Sequence, residues 1–337
     1  MDSPQILLSG FADECALDKT IDQQFSAFAA LGLSHLSIRF IDAGNGIKNV
    51  MNLEPAEVQL VQEKLKQYRL RISSLGSPIG KVKLLDVDDG TSNVFRPFTE
   101  YLDGEVQRAC ELAKAFDCKL IRGFSFYHPL GTEAGDHIDT VVERLKQIAE
   151  VCDSHGLTFG LEVEANLVGQ TGQNLAEIHK RVDHPALLLI FDGGNLVTQG
   201  FSADEIFEQW LAMKPGMGWL HVKDYSKPPG MKRVVHVDEE SLSHFVPADI
   251  GDSGHQRILE DLKRFLPELH SRMTARGVPG VFADLEPHVR GGGQFGGFSG
   301  PDGFGVALRA FCRVCDAAGV GYPVSYTHLT LPTNREV

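Results

Sequence analysis

The sequence predicts an α/β chain closed into a single (β/α)8 TIM barrel with extended loops after strands 7 and 8. Three observations lead there: eight short β-rich runs, eight helical stretches that alternate with them, and no glycine triplet after the first strand. Such alternation means parallel strands with helices packed outside, and eight units meet the closure condition of a barrel. A doubly wound open sheet is the structural alternative. It needs a nucleotide-binding fingerprint after strand 1, where this chain reads Ser9-Gly10-Phe11-Ala12-Asp13-Glu14.

Taken in order, the predicted strands are Ile6 to Ser9, Leu36 to Phe40, Arg71 to Leu75 and Lys119 to Phe126, then Thr158 to Val163, Leu187 to Phe191, Trp219 to Lys223 and Gly280 to Leu285. Each is a short apolar, β-branched or aromatic run bounded by turn residues. Helical periodicity covers Thr20 to Leu31, Pro55 to Tyr68, Gly104 to Phe116 and Ile138 to His155, and again Asn174 to Val182, Ala203 to Met213, Gln256 to Arg276 and Pro301 to Ala318. Four of these helices stop at a glycine followed by an apolar residue, at Gly32, Gly156, Gly277 and Gly319, where a left-handed cap carries no Cβ clash. The long loops run from Asp224 to about Gly254 and from Glu286 to Gly300, the second rich in glycine at Gly291 to Gly293 and Gly296-Gly297. Both follow strands, on the face where barrel enzymes place their chemistry. Residues 325 to 337, reading SYTHLTLPTNREV, have no helical period and are expected to be a non-native tail beside a domain of residues 1 to 324.

The 337 residues are 42% apolar and 23% charged, usage that suits a folded domain with a sizeable core and excludes disorder. A net charge of −13 repels phosphate backbones and anionic lipid, so neither nucleic acid nor a membrane surface is an expected partner. Wholly apolar stretches such as Ala186 to Phe191 are far shorter than a bilayer span, and the start, with Asp2 and a brief Ile6-Leu7-Leu8 run, is unlike a signal peptide. A cytoplasmic location is the resulting expectation. Of six cysteines only Cys312 and Cys315 are close together, inside a helical pattern, which points to packing rather than a zinc site or a disulfide framework.

Glu162, Asp192, His221 and Glu286 stand at the ends of the last four predicted strands. Strands buried on both faces should be nearly all apolar, so three converging carboxylates need a cation or protons to offset their repulsion and desolvation. Oxygen-rich coordination with one imidazole suits a single divalent ion, Mn²⁺ foremost, with Mg²⁺ or Co²⁺ as the other choices.

The segments GLEVEANLVG, IFDGGN, LHVKD and DLEPHV fall in order on strands 5 to 8. Over roughly Ile6 to Val320 the chain thereby resembles the xylose-isomerase-like TIM barrels, and within them the sugar isomerases and ketose 3-epimerases. That resemblance implies a metal held by Glu162, Asp192, His221 and Glu286, with Glu162 and Glu286 also exchanging protons with a small sugar or polyol ketone. It also carries departures. Asn195 stands where a substrate histidine is common, and Lys227 where a substrate arginine is expected. Glu164 shares the face of Glu162 by two-residue spacing, with Glu162 preferred as the ligand.

Further candidates for substrate contact are Lys223, on the face of His221, Arg122 inside strand 4, His128 after Phe124-Ser125-Phe126-Tyr127, and His288 and Arg290 beyond Glu286, with Arg39 at strand 2 of the same standing. The leading expectation is a divalent-metal-dependent isomerase or epimerase working through an enediolate. An inosose-dehydratase-type lyase is the alternative on the same scaffold. More remote are an apurinic-endonuclease-like hydrolase and a barrel that binds a sugar or partner without turnover. A homo-oligomer is compatible with all of these.

Overall fold

A computed structural model describes residues 4–90, 92–238, 242–288 and 300–323. Eight strands form one sheet: β1 (Ile6–Gly10), β2 (His35–Ile38), β3 (Arg71–Ile79), β4 (Leu120–Gly123), β5 (Thr158–Glu162), β6 (Leu187–Asp192), β7 (Met217–Val222) and β8 (Val281–Leu285). All neighbours are parallel in the order β1-β8-β7-β6-β5-β4-β3-β2, and a lone parallel bridge between Phe11 and Ser37 links the two ends of that sheet. The result is a nearly closed TIM barrel.

Its outer ring consists of α1 (Ile21–Ala30), α2 (Pro55–Tyr68), α3 (Gln107–Ala115), α4 (Ile138–Ser154), α5 (Gly172–Val182), α6 (Ala203–Met213), α7 (His255–Ala275) and α8 (Gly300–Ala318). Local chemistry starts these helices where they start. The Thr20 hydroxyl accepts from the Gln23 amide at 3.3 Å, and Thr171 accepts from Asn174 at 3.1 Å. At α6 the exchange is reciprocal: the Ser202 amide donates to Glu205 Oε2 at 2.7 Å while the Glu205 amide donates to Ser202 Oγ at 3.4 Å. The four glycines that end helices all have positive φ, from 66° to 75°.

The barrel interior is packed too tightly for side chains at some positions. A Cβ at Gly160 on β5 would lie 1.9 Å from the Trp219 ring of β7, so only glycine lets that indole fill the core. One interior layer is polar instead. Asp284 of β8 accepts from the Ser37, Ser73 and Ser74 hydroxyls at 2.8, 3.0 and 3.2 Å, all of them buried.

Several boundaries differ from the pattern-based expectation. Strand β2 stops at Ile38, and Phe40–Asp42 instead pairs antiparallel with Ile47–Asn49 around the turn at Gly44 and Gly46. Strand β3 runs four residues beyond Leu75 to Ile79, and β4 is shorter than expected because the chain leaves the sheet after Gly123, with Phe126 at φ 67°. The third helical stretch opens with a π-helical turn, Leu102–Val106, that contains Gly104. A short helix, Gly193–Val197, follows β6 directly and had no periodic signature. The loop after β7 is anchored by antiparallel pairing of Asp224–Tyr225 with Phe245–Val246. All six cysteines are free, and Cys312 and Cys315 lie in α8. No helix among the described residues is long and apolar enough to cross a membrane. Arg290, the glycine-rich stretch and the 325–337 tail lie outside the described residues.

Candidate metal centre

Parallel register brings the strand ends level. Asp192 ends β6 opposite His221 of β7, Glu162 ends β5, and Glu286 follows β8 by one residue with its amide donating to the Val222 carbonyl at 3.0 Å. Glu162, Asp192, His221 and Glu286 each present a donor atom such that all four lie within 4.8 Å of one another, and all four residues are buried. The Asp192 carboxylate is also held from behind, its Oδ1 accepting from the Asn195 amide at 3.1 Å as the cap of the Gly193–Val197 helix.

The donor set fits a divalent cation. Asp192 Oδ2 and both ring nitrogens of His221 are buried with no hydrogen-bond partner, a cost of about 1–3 kcal/mol for each such group unless something else satisfies it. Glu162 Oε1 lies 3.0 Å from His221 Nδ1, and Lys223 Nζ lies 3.1 Å from Asp192 Oδ2, so charges are close but not aligned as hydrogen bonds. Three carboxylates and one imidazole thus offer donor atoms close enough together for one ion to be shared among them.

Charge balance around this point sets the protonation states. For Glu162 burial pushes the carboxyl up, but the His221 and Arg122 cations outweigh it and hold it at about 2. Burial likewise opposes ionisation of Glu286, yet Lys223, Arg39, His288 and Arg122 together hold it well below the usual carboxylate range. Asp192 goes the other way, up to about 6, because burial and the neighbouring Glu162 and Glu286 charges outweigh Lys223. His221, despite burial that favours the neutral ring, is raised by Glu162 and Glu286.

A collar of cations surrounds the four. Lys223 Nζ donates to Glu286 Oε2 at 3.3 Å, and its ammonium is raised above its ordinary value, Asp192 and Glu286 overcoming burial. Arg122 lies between the Phe11 and Phe124 rings, 5.0 and 4.8 Å from their centroids, with Nη1 3.5 Å from Glu162 Oε2 and 4.0 Å from Glu286 Oε1. Arg39 is hydrogen-bonded to Glu286 and reaches Asp13 Oδ2 at 3.0 Å and Glu14 Oε1 at 2.8 Å. His288 bridges Glu14 Oε1, 2.9 Å from Nδ1, to Glu286 Oε1, 3.8 Å from Nε2. Asn195 Nδ2 donates to Glu162 Oε1 at 3.3 Å and to the Val163 carbonyl at 3.0 Å.

Other sequence candidates stand apart from the four. Glu164 pairs with Lys81 at 2.6 Å, and that ammonium sits 4.6 Å from the Phe124 centroid. Lys227 spends its ammonium on the Phe201 carbonyl at 3.1 Å. His128 is turned to Thr132 and the Pro129 carbonyl and stacks on His137. Sequence reasoning missed Asp13, Glu14 and Lys81. The first two lie in the loop after β1, where the rule that barrel chemistry sits beyond strand ends could have found them. Lys81 was hidden because β3 was expected to end at Leu75.

A sequence-family model described as xylose isomerase-like TIM barrel matches residues 25–290. No curated protein matches the sequence. Among solved structures, the chain is similar to the probable 3-DHS dehydratase AsbF of Bacillus anthracis, at 16% identity and a TM-score of 0.60, over 91% of this chain and 98% of that one. A xylose isomerase-like TIM barrel protein from Mycobacterium smegmatis in complex with magnesium aligns at 18% identity and a TM-score of 0.58, covering 94% and 98%. D-allulose 3-epimerase from Methylomonas sp., in complex with D-allulose, aligns at 16% and 0.53, covering 85% and 86%. At these identities the likeness is one of fold.

Proposed function

Because the chain belongs to the xylose isomerase-like TIM barrel family, we propose that it is a divalent-metal-dependent isomerase or epimerase of a small sugar or sugar-like ketone. The observation that carries this reading is the convergence of four buried donor side chains with orphaned atoms at Asp192 and His221. Glu162, Asp192, His221 and Glu286 would hold the ion, Mn²⁺ by preference, which when bound supplies Lewis-acid stabilisation of negative charge on adjacent substrate oxygens.

Proton transfer falls to Glu162 and Glu286. They come from β5 and from just beyond β8, three strands apart in an eight-stranded barrel, so they approach a substrate at the barrel mouth from separate sides. Moving a proton off one face and returning it to the other needs two such groups. Both are held ionised, hence ready to accept. The cations that hold them so, Lys223 and Arg122, are also placed to hydrogen-bond substrate oxygens, and Asn195 orients Glu162 from the side. Engaging a substrate oxygen would draw those cations from the glutamates and strengthen them as bases.

His288 supports a second reading, that of a dehydratase. Its imidazole, between Glu14 and Glu286, would give a proton to a departing hydroxyl while Glu286 takes one from the neighbouring carbon. One experiment separates the two. Metal-loaded protein is incubated with a panel of ketoses, aldoses and inososes in deuterated water and followed by NMR and ultraviolet absorbance. Deuterium entering one carbon without loss of water supports the isomerase or epimerase; a growing conjugated-carbonyl absorbance supports the dehydratase; metal-independent turnover defeats both.

A further inference from the structure

The opposite end of the barrel holds a cavity of about 820 Å³ beneath the strand starts. Its wall carries Lys66, Arg69, Arg71, Lys119 and His35 against a lone acidic residue, Asp117, in a chain whose net charge is −13. None of the four Lys and Arg side chains makes an ion pair with a described residue, whereas those at the barrel mouth, such as Arg39 and Arg122, are paired.

Helix ends account for only part of this set. The C-terminal end of a helix carries partial negative charge that favours cations. Lys66 lies in the last turn of α2 and Arg69 caps it at φ 56°, so both complement that end. Arg71 does not, since it opens β3, and Lys119, which immediately precedes β4, reaches the end of a different helix. Lys119 lies across the end of α7, where a Cβ on Gly277 would be 3.8 Å from its Cε. Strands and helices distant in sequence thus bring four cations around one concave space. The floor is ordered: His35 is buried, tilted 59° against Phe282 at 5.1 Å, and kept toward its neutral form by burial and then by the charge of Arg71.

We propose that this cavity binds a compact polyanion carrying phosphate or carboxylate groups. Its volume is that of a small-molecule site, which suits a metabolite-sized ion rather than a nucleic-acid strand that the overall charge would repel. Guanidinium groups from Arg69 and Arg71 can fork onto phosphate or carboxylate oxygens, and the two lysines add point charges. The anion gains partners that the fold leaves unneutralised.

The test is calorimetric titration of the full chain at low salt, after metal has been stripped with chelator and the chelator dialysed away, with two probes. Pyrophosphate represents phosphates, and benzene-1,3,5-tricarboxylate represents carboxylates and is too rigid to chelate one ion. Saturable one-to-one binding of either probe is expected, weakened tenfold or more in Arg71→Ser/Lys119→Ser and unchanged in His221→Ala. Both substituted side chains of the double variant are exposed, and an unaltered melting temperature shows that it folds. Which probe binds identifies the anion class. Absence of saturable binding by both, equal binding by the double variant, or loss in His221→Ala instead would each overturn the proposal, the last by placing the anion at the barrel mouth.

Discussion

At the C-terminal end of the strands three carboxylates and an imidazole are at most 2% exposed, while at the N-terminal end four exposed cations ring an open cavity. Between the two ends lies the Asp284 layer, in which Ser37, Ser73 and Ser74 supply hydroxyls to a carboxylate inside the barrel. The contrast concerns dielectric as much as sign. Buried charges interact strongly and must be matched almost one for one, which is why Lys223, Arg122 and Arg39 crowd the acidic end. Exposed charges repel weakly through water, so the basic end can leave its cations unpaired and available.

The largest effects should come from removing a proton carrier at the buried end. Glu286→Gln keeps the shape and one oxygen but loses the base, so kcat should fall by roughly 10²–10⁴ while metal affinity falls less. Glu162→Gln should behave alike, and neither should change anion binding at the other end. Stopped assays and solvent-deuterium exchange measure this. Near-normal exchange in Glu286→Gln would turn attention to Lys223, Glu164 or His288.

Next in size is the metal. His221→Ala deletes a ligand but no proton carrier, so metal affinity should drop at least about tenfold, with part of the activity restored by excess Mn²⁺. A pH dependence accompanies it. Metal needs Asp192 and His221 deprotonated, and both are raised, Asp192 to about 6, so affinity should be full above these values and fade as pH falls through them. In the metal-free chain the sign reverses. A carboxyl raised on folding adds stability below its unfolded value and loses it as pH rises through about 6. The gain in melting temperature on adding metal should therefore grow from pH 5 to pH 7, and a gain independent of pH would contradict the charge balance described above.

How much of this was legible in the sequence follows from the same physics. Glu162, Asp192, His221 and Glu286 stood out because each interrupts or ends an apolar run, and in a buried strand a polar residue has few reasons to exist. Lys223 was reached by the two-residue alternation of strands, and Arg122 as a charged residue inside the fourth predicted strand. Asp13, Glu14 and Lys81 sit in loops, which have no period, and only closure of the barrel brings the first pair to Arg39 and Glu286. Lys227 was carried over by spacing from a resemblance, but the Lys227-Pro228-Pro229-Gly230 turn takes its side chain to the Phe201 carbonyl. The basic cavity was invisible for a related reason. Lys66, Arg69 and Arg71 read as an ordinary helix end, and Lys119 is far along the chain.

The middle layer offers an intermediate effect. Asp284→Ala removes the shared carboxylate acceptor of three hydroxyls in the barrel interior, leaving them only one another and Ser9, and should cost about 1–3 kcal/mol, read as a lower melting temperature. Ser37→Ala should cost less, since Asp284 keeps Ser73 and Ser74. Equal losses in the two would mean that packing, not the carboxylate, holds the layer.

The smallest effect concerns Asp117, the acidic residue on the wall of the basic cavity. Its backbone is at φ 53°, a left-handed conformation that asparagine adopts as readily as aspartate, so Asp117→Asn removes a charge without disturbing the turn between α3 and β4. An exposed charge at this range contributes about 0.2–1 kcal/mol. Binding of pyrophosphate or the tricarboxylate should tighten about twofold at low salt, and the gain should vanish near 1 M salt, where screening acts within about 3 Å. Turnover at the mouth should not move. If the four cations served only the helix ends, removing Asp117's charge would change the melting temperature and leave anion affinity untouched, which is the result that would erase the contrast between the two ends.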